Sequence, residues 1–65
     1  MQEKFAKNLR KFLEKSKLTQ RKCAELVGTT EAAVSRWVHG TRLPHTPTLK
    51  ILAEVLNVKM EDFFV

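Results

Sequence analysis

Gln20-Arg21-Lys22-Cys23-Ala24-Glu25-Leu26-Val27-Gly28-Thr29-Thr30-Glu31-Ala32-Ala33-Val34-Ser35-Arg36-Trp37-Val38-His39 is the stretch that decides the fold. Residues three and four apart share a helix face. The second half therefore places Val34 and Trp37 on one side and Glu31, Ala32, Ser35, Arg36 and His39 on the other. In the first half Cys23, Ala24 and Val27 make a small apolar stripe, while Gln20, Arg21, Lys22 and Glu25 mostly turn away from it. Gly28 suits the left-handed backbone that a tight helix exit requires. Thr19 and Thr30 bring a hydroxyl to the N-cap of each segment, where it satisfies a free amide. Two short helices at a steep angle follow, each with one face for a core. The outer face of the second is free to read a partner.

Outward from this stretch, the pattern predicts three more helices. Phe5, Leu9, Phe12 and Leu13, with Ala6 beside them, recur at helical spacing over about Gln2 to Lys15, and Lys4, Lys7, Arg10, Lys11, Glu14 and Lys15 cover the rest as a mostly solvated face. Leu18 points inward ahead of Thr19. After His39, Gly40 supplies a second left-handed residue, and Thr41-Arg42-Leu43-Pro44-His45 is a turn-forming loop. Thr46 as cap and Pro47 at the first helical position open a fourth helix, in the order that helix starts prefer. Leu49, Leu52, Ala53 and Leu56, flanked by Ile51 and Val55, make it the most apolar helix and the expected centre of the core, with Asn57 at its end. Met60 to Phe64 reads as a final short helix, weakly capped because Lys59 stands at its cap position. The expected fold is all-α: five short, locally connected helices in a single domain, residues 1–65.

A chain of 65 residues has room for one domain. Its 12 Lys and Arg against 7 Asp and Glu give +5, which favours a polyanionic partner. The distribution says more than the total. Residues 1–22 hold eight basic and two acidic side chains, residues 23–53 three and two, and residues 54–65 one and three. Positive charge gathers on the first two helices. The lone Cys23 has no partner for an internal disulfide and reads as a small core residue, and with His39 and His45 it lacks metal-site spacing. Carboxylate pairs, a Cys/His pair at catalytic spacing and a glycine-rich phosphate loop are all missing, so no catalytic residue, metal or cofactor is expected. No apolar run resembles a signal peptide or approaches the roughly 20 residues that span a membrane, and a cytoplasmic, nucleoid-associated protein is the expectation.

The arrangement of Ala24, Gly28, Cys23, Val27, Val34 and Trp37 within residues 20–39 resembles the helix-turn-helix of the phage repressor and Cro family, the XRE-like proteins. Leu18-Thr19-Gln20 is similar to the family's approach to its second helix, Gly40-Thr41-Arg42-Leu43-Pro44 to its loop after the recognition helix, and Leu49 to Val58 to its fourth helix. From Phe5 to Phe64 almost the whole chain matches. The resemblance implies a compact lambda-repressor-like DNA-binding domain whose third helix enters the major groove. It assigns base reading to Thr30, Glu31, Ala32, Ser35 and Arg36, and phosphate contacts to Gln20, Arg21, Thr29, His39 and Arg42, with Lys22 and Lys50 as further candidates. His39 has an equal alternative as a cap on the C-terminus of its own helix. Glu31 has three: accepting from a cytosine amino group, orienting Arg36, or complementing the helix N-terminus. Trp37 lies in the apolar register and reads as core rather than as a stacking platform.

Phe63, Phe64 and Val65 form an apolar chain end. One phenylalanine is expected to complete the core, and the remainder is a candidate dimer interface. Family members bind inverted-repeat operators as two-fold dimers, which implies double-stranded DNA as partner and a weak homodimer strengthened on DNA. The reading is of a sequence-specific transcriptional regulator, a repressor occupying an operator. Two alternatives stay open: an antitoxin that binds a toxin and represses its own operon, and a protein-binding module that has kept the fold.

Overall fold

Side-chain caps and left-handed exits mark out the helices of the computed structural model, which describes residues 2–65. α1 spans Glu3–Ser16, α2 Gln20–Val27, α3 Glu31–Val38 and α4 Thr46–Leu56, followed by a 3₁₀ helix at Met60–Phe64. The bounds of α2 and α3 follow from local chemistry. Thr19 Oγ1 accepts from the Lys22 amide at 3.0 Å and Thr30 Oγ1 from the Ala33 amide at 3.1 Å. α2 exits through Gly28 at φ 88°, where the Gly28 and Thr29 amides both donate to Ala24 O at 2.9 Å. Asn57 closes α4 in the left-handed region at φ 58°, a conformation asparagine tolerates well. Lys17 does the same for α1 at φ 57° without the help of a glycine.

Two expectations about the helix bounds need correction. The fifth helix is a 3₁₀ turn, so the described residues form four α-helices: the Asp62 amide donates to Lys59 O at 3.0 Å, an i to i−3 bond, in a piece only five residues long. As expected, the Lys59 side chain forms no capping bond to that helix, although the Asp62 carboxylate accepts from the Lys59 amide at 3.0 Å. The first hydrogen bond of α4 runs from the Leu49 amide to His45 O at 2.8 Å, which makes His45 the cap residue, Thr46 the first helical residue and Pro47 the second. His45 forms no side-chain capping bond there.

Every helix contributes to the core. Phe5 and Leu9 of α1, Phe63 of the 3₁₀ helix, Val34 of α3, Leu52 of α4 and Cys23 of α2 are its largest fully buried side chains. The Phe63 ring lies 4.9 Å from that of Phe5 and meets Phe12 edge-on at 5.3 Å, so the chain end is fastened across α1. Asn8 adds a polar tie by donating to Phe63 O at 2.8 Å. Each of these large apolar side chains contributes roughly 1.5–3 kcal/mol by leaving water. Ile51, expected to flank the core, is instead half exposed. Trp37 is buried as the apolar register predicts, and burial pushes the Cys23 thiol up from its ordinary range, in keeping with a packing role. Among the described residues no helix is long and apolar enough to cross a membrane.

The two glycines separate two kinds of constraint. A Cβ on Gly28 would meet nothing within 4 Å, so only its φ of 88° opposes substitution. A Cβ on Gly40 faces a φ of 76° and also meets Gln2 O at 3.3 Å. Gly28→Ala should therefore lower stability by about 1–2 kcal/mol through the backbone alone, and Gly40→Ala by more. Urea unfolding of the two variants checks the order; equal losses would mean that the close approach at Gly40 carries no cost.

Candidate nucleic-acid interface

An eight-residue helix leaves half of its peptide groups without intrahelical partners and is marginal by itself. The ends of α3 are closed by its surroundings. At the N-terminus Thr30 supplies the cap. At the C-terminus each of the last four carbonyls has a donor. Ser35 O accepts from the His39 amide at 3.0 Å and from His39 Nδ1–H at 2.7 Å. Arg36 O accepts from the Thr41 amide at 3.0 Å and its hydroxyl at 3.1 Å. Trp37 O accepts from the Gly40 amide at 3.2 Å, and Val38 O from the Arg10 guanidinium at 2.6 Å. The Gln2 amide then donates to Gly40 O at 3.2 Å. The start of α1 is thus hydrogen-bonded to the end of α3.

With its ends closed and Val34, Trp37 and Val38 buried, α3 turns its opposite side to solvent. Glu31, Ala32 and Arg36 are exposed there together with the cap residue Thr30, and Ser35 is half-buried. The hydroxyl of Thr30 is committed as an acceptor to its own helix, and Ser35 Oγ lies 3.4 Å from His39 Nδ1. Arg36 and Glu31 do not pair: among the described residues the ion pairs are Arg21 with Glu25 at 4.0 Å and Lys22 with Glu25 at 3.6 Å. Glu31 thus stands in the first turn of α3, where a carboxylate complements the helix dipole, rather than holding the guanidinium of Arg36.

The residues expected to hold phosphates frame this face unevenly. Gln20 opens α2 half-buried, Thr29 is half-buried in the turn, and Arg42 is exposed in the loop beyond α3. Arg21 and Lys22 share one carboxylate on an exposed surface, where such pairs contribute little and a stronger anion displaces them readily. His39 is turned back to Ser35 O, the capping alternative, leaving Nε2 as its remaining hydrogen-bonding atom. At the chain end Phe63 is fully buried and so drops out of the candidate interface. Phe64, 49% exposed although its ring lies 5.8 Å from Phe5, and Val65, 78% exposed, remain.

Arg10 and Thr41 are the contributors to this site that sequence reasoning missed. Arg10 belongs to the charged side of α1 by its spacing, and nothing in one dimension points it at a carbonyl 28 positions away.

Two helices crossing at a glycine turn, the second closed at both ends and exposed along one side, define a helix-turn-helix domain. The chain matches the Helix-turn-helix family over residues 9–63 and belongs to it, as a domain of the XRE type. It is also 33% identical over 57 residues, 88% of its own length, to an uncharacterized HTH-type transcriptional regulator, YqaE, of Bacillus subtilis (strain 168). The chain covers 49% of that relative, so it spans about half the relative's length. No solved structure matches it.

The Arg10 bond makes a measurable demand. A hydrogen bond from a charged donor contributes about 1.5–3 kcal/mol when sheltered, and the partial exposure here brings the expected cost of Arg10→Met to about 1–2 kcal/mol. Hydrogen exchange at the Gly40 and Thr41 amides should quicken with it. Unchanged urea unfolding and unchanged exchange would show that Arg10 does not hold α3.

Proposed function

We propose that this chain is a sequence-specific double-stranded DNA-binding regulator, a repressor that occupies its operator with α3 in the major groove. The observation that carries the reading is the state of α3: backbone closed at both ends, apolar side buried, and Glu31, Ala32 and Arg36 exposed along the other side. The major groove admits such a helix and presents a different donor and acceptor pattern for each base pair. In this reading Arg36 pairs with O6 and N7 of a guanine, Glu31 accepts from a cytosine amino group, and Ala32 packs on a thymine methyl. Thr30 and Ser35, whose hydroxyls are partly spent within the protein, discriminate less. Gln20, Arg21, Thr29 and Arg42, with Lys22 and Lys50, hold the backbone that flanks these bases. The regulator named among the relatives is of the same class.

Exposed Phe64 and Val65 supply the contact between two copies on an inverted repeat, with half-site centres roughly 34 Å apart. Such a small apolar contact makes a weak dimer that DNA strengthens. The reading is of a binding protein and not of an enzyme.

The roles of Arg36 and Arg42 separate in a titration of the preferred duplex against random competitor. Arg36→Ala should lose about 1–3 kcal/mol of preference, roughly 5- to 150-fold, with most of its affinity for random duplex intact. Arg42→Ala should weaken all duplexes alike and lower the salt slope by about 1. If both variants match the parent, the face is wrongly assigned; if affinity ignores salt altogether, the partner is a protein.

A further inference from the structure

His39 stands on the outward side of α3 and also forms one wall of a groove whose opposite wall is α1. Lys4, Lys7, Arg10 and Lys11 line it, with Glu3 as the one glutamate or aspartate. At about 670 Å³ it has the size of a ligand cleft. Ala6 and Val65 also line it, and its four cations outnumber the Glu3 carboxylate, so the groove favours an anion.

The lysines are aligned and uncompensated. Lys4, Lys7 and Lys11 recur at spacings of three and four along α1, so they lie in one row about 10 Å long. Glu3 and Glu14 share the helix, yet among the described residues the ion pairs are both on α2, where Glu25 takes Arg21 and Lys22. Like charges three and four apart on a helix repel, and a bound polyanion would remove that repulsion. Arg10 spends one N–H on Val38 O and retains others to donate.

From these observations we infer that the groove is a second, sequence-independent contact for the phosphate backbone of the DNA that α3 reads. It carries the footprint past the helix-turn-helix onto α1. This rests on the DNA-binding reading above, and it adds Lys4, Lys7 and Lys11 to the residues that set affinity without setting base preference. The backbone of a duplex suits the row better than a small free anion does, because a single phosphate meets only one or two of the lysines.

The test uses a random-sequence duplex and so needs no operator. Lys4→Gln/Lys7→Gln/Lys11→Gln is compared with a charge-matched triple outside the groove, Lys15→Gln/Lys17→Asn/Lys59→Gln, after thermal melting shows that both fold. Each lost phosphate contact flattens the plot of log K against log salt by about 0.9. The groove triple should therefore flatten it by about 2 to 3, and Lys7→Gln alone by about 1, whereas the control triple changes it by less than about 1. Equal flattening by the two triples would reduce the effect to net charge and overturn the proposal, as would an unchanged slope in the groove triple. A parent that prefers one sequence while the groove triple keeps its slope refutes the groove alone. A parent that binds no duplex refutes the groove and the DNA-binding reading together.

Discussion

The structure depends on how the C-terminus of α3 is held. Eight residues cannot sustain a helix in water by hydrogen bonding alone, and a helix with one side left to solvent has only the other to give to the core. α3 is therefore fixed through its end groups. Thr41 takes the Arg36 carbonyl twice, Arg10 takes Val38 O, and the chain at Gln2 takes Gly40 O. The backbone of Arg36 is constrained by the same bonds that leave its side chain free. The reading role proposed for Arg36 needs both, because an arginine pairs with a guanine edge only if its Cα is held at a fixed place relative to the groove.

That closure works because α1 is itself anchored in the core. Phe5 and Leu9 are fully buried, and Phe63 returns from the chain end to cover them. Losing any one of these would cost about as much as a domain of this size has to spare. The same helix turns the opposite way for its charge. Its apolar side supports α3 while its lysines accumulate next to His39, so one amphipathic helix both fixes α3 and sets the field around its end. The small side chains Cys23 and Ala24 let α2 bury its inner face in so short a span, and Gly28 lets the chain turn at once into α3.

Much of this was legible in the residues. The bounds of α2 and α3 rest on interactions within five positions, such as Thr19 with Lys22, Thr30 with Ala33 and Gly28 with Ala24, and a sequence displays local chemistry directly. The inner and outer faces of α3 follow from a period of 3.6 applied to Val34, Trp37, Glu31, Ala32 and Arg36. What escaped depends on distance or on a single hydrogen bond. Whether Met60–Phe64 is α or 3₁₀ turns on one acceptor, and whether α4 begins at Thr46 or Pro47 turns on the carbonyl of His45. Arg10 and Val38 meet only after folding. The most apolar helix, α4, sends Leu52 fully into the core, but Ile51 spends its hydrophobicity at the surface, a split that apolar content alone does not show. For the site, exposure and burial were readable, including the core role of Trp37. The turning of His39 to Ser35 O, the sharing of Glu25 by Arg21 and Lys22, and the burial of Phe63 between α1's rings were not, because each is a choice among partners that spacing alone leaves equal.

The central claim is that the outward side of α3 distinguishes base pairs. Its most direct test is to select bound sequences from random duplex DNA at two salt concentrations. Enrichment of an inverted repeat, with half-site centres about one turn apart and surviving the higher salt, is the result expected of a dimeric operator-binding regulator. Absence of any enriched sequence, with binding lost at modest salt, would contradict it, leaving a basic surface that attracts DNA without reading it.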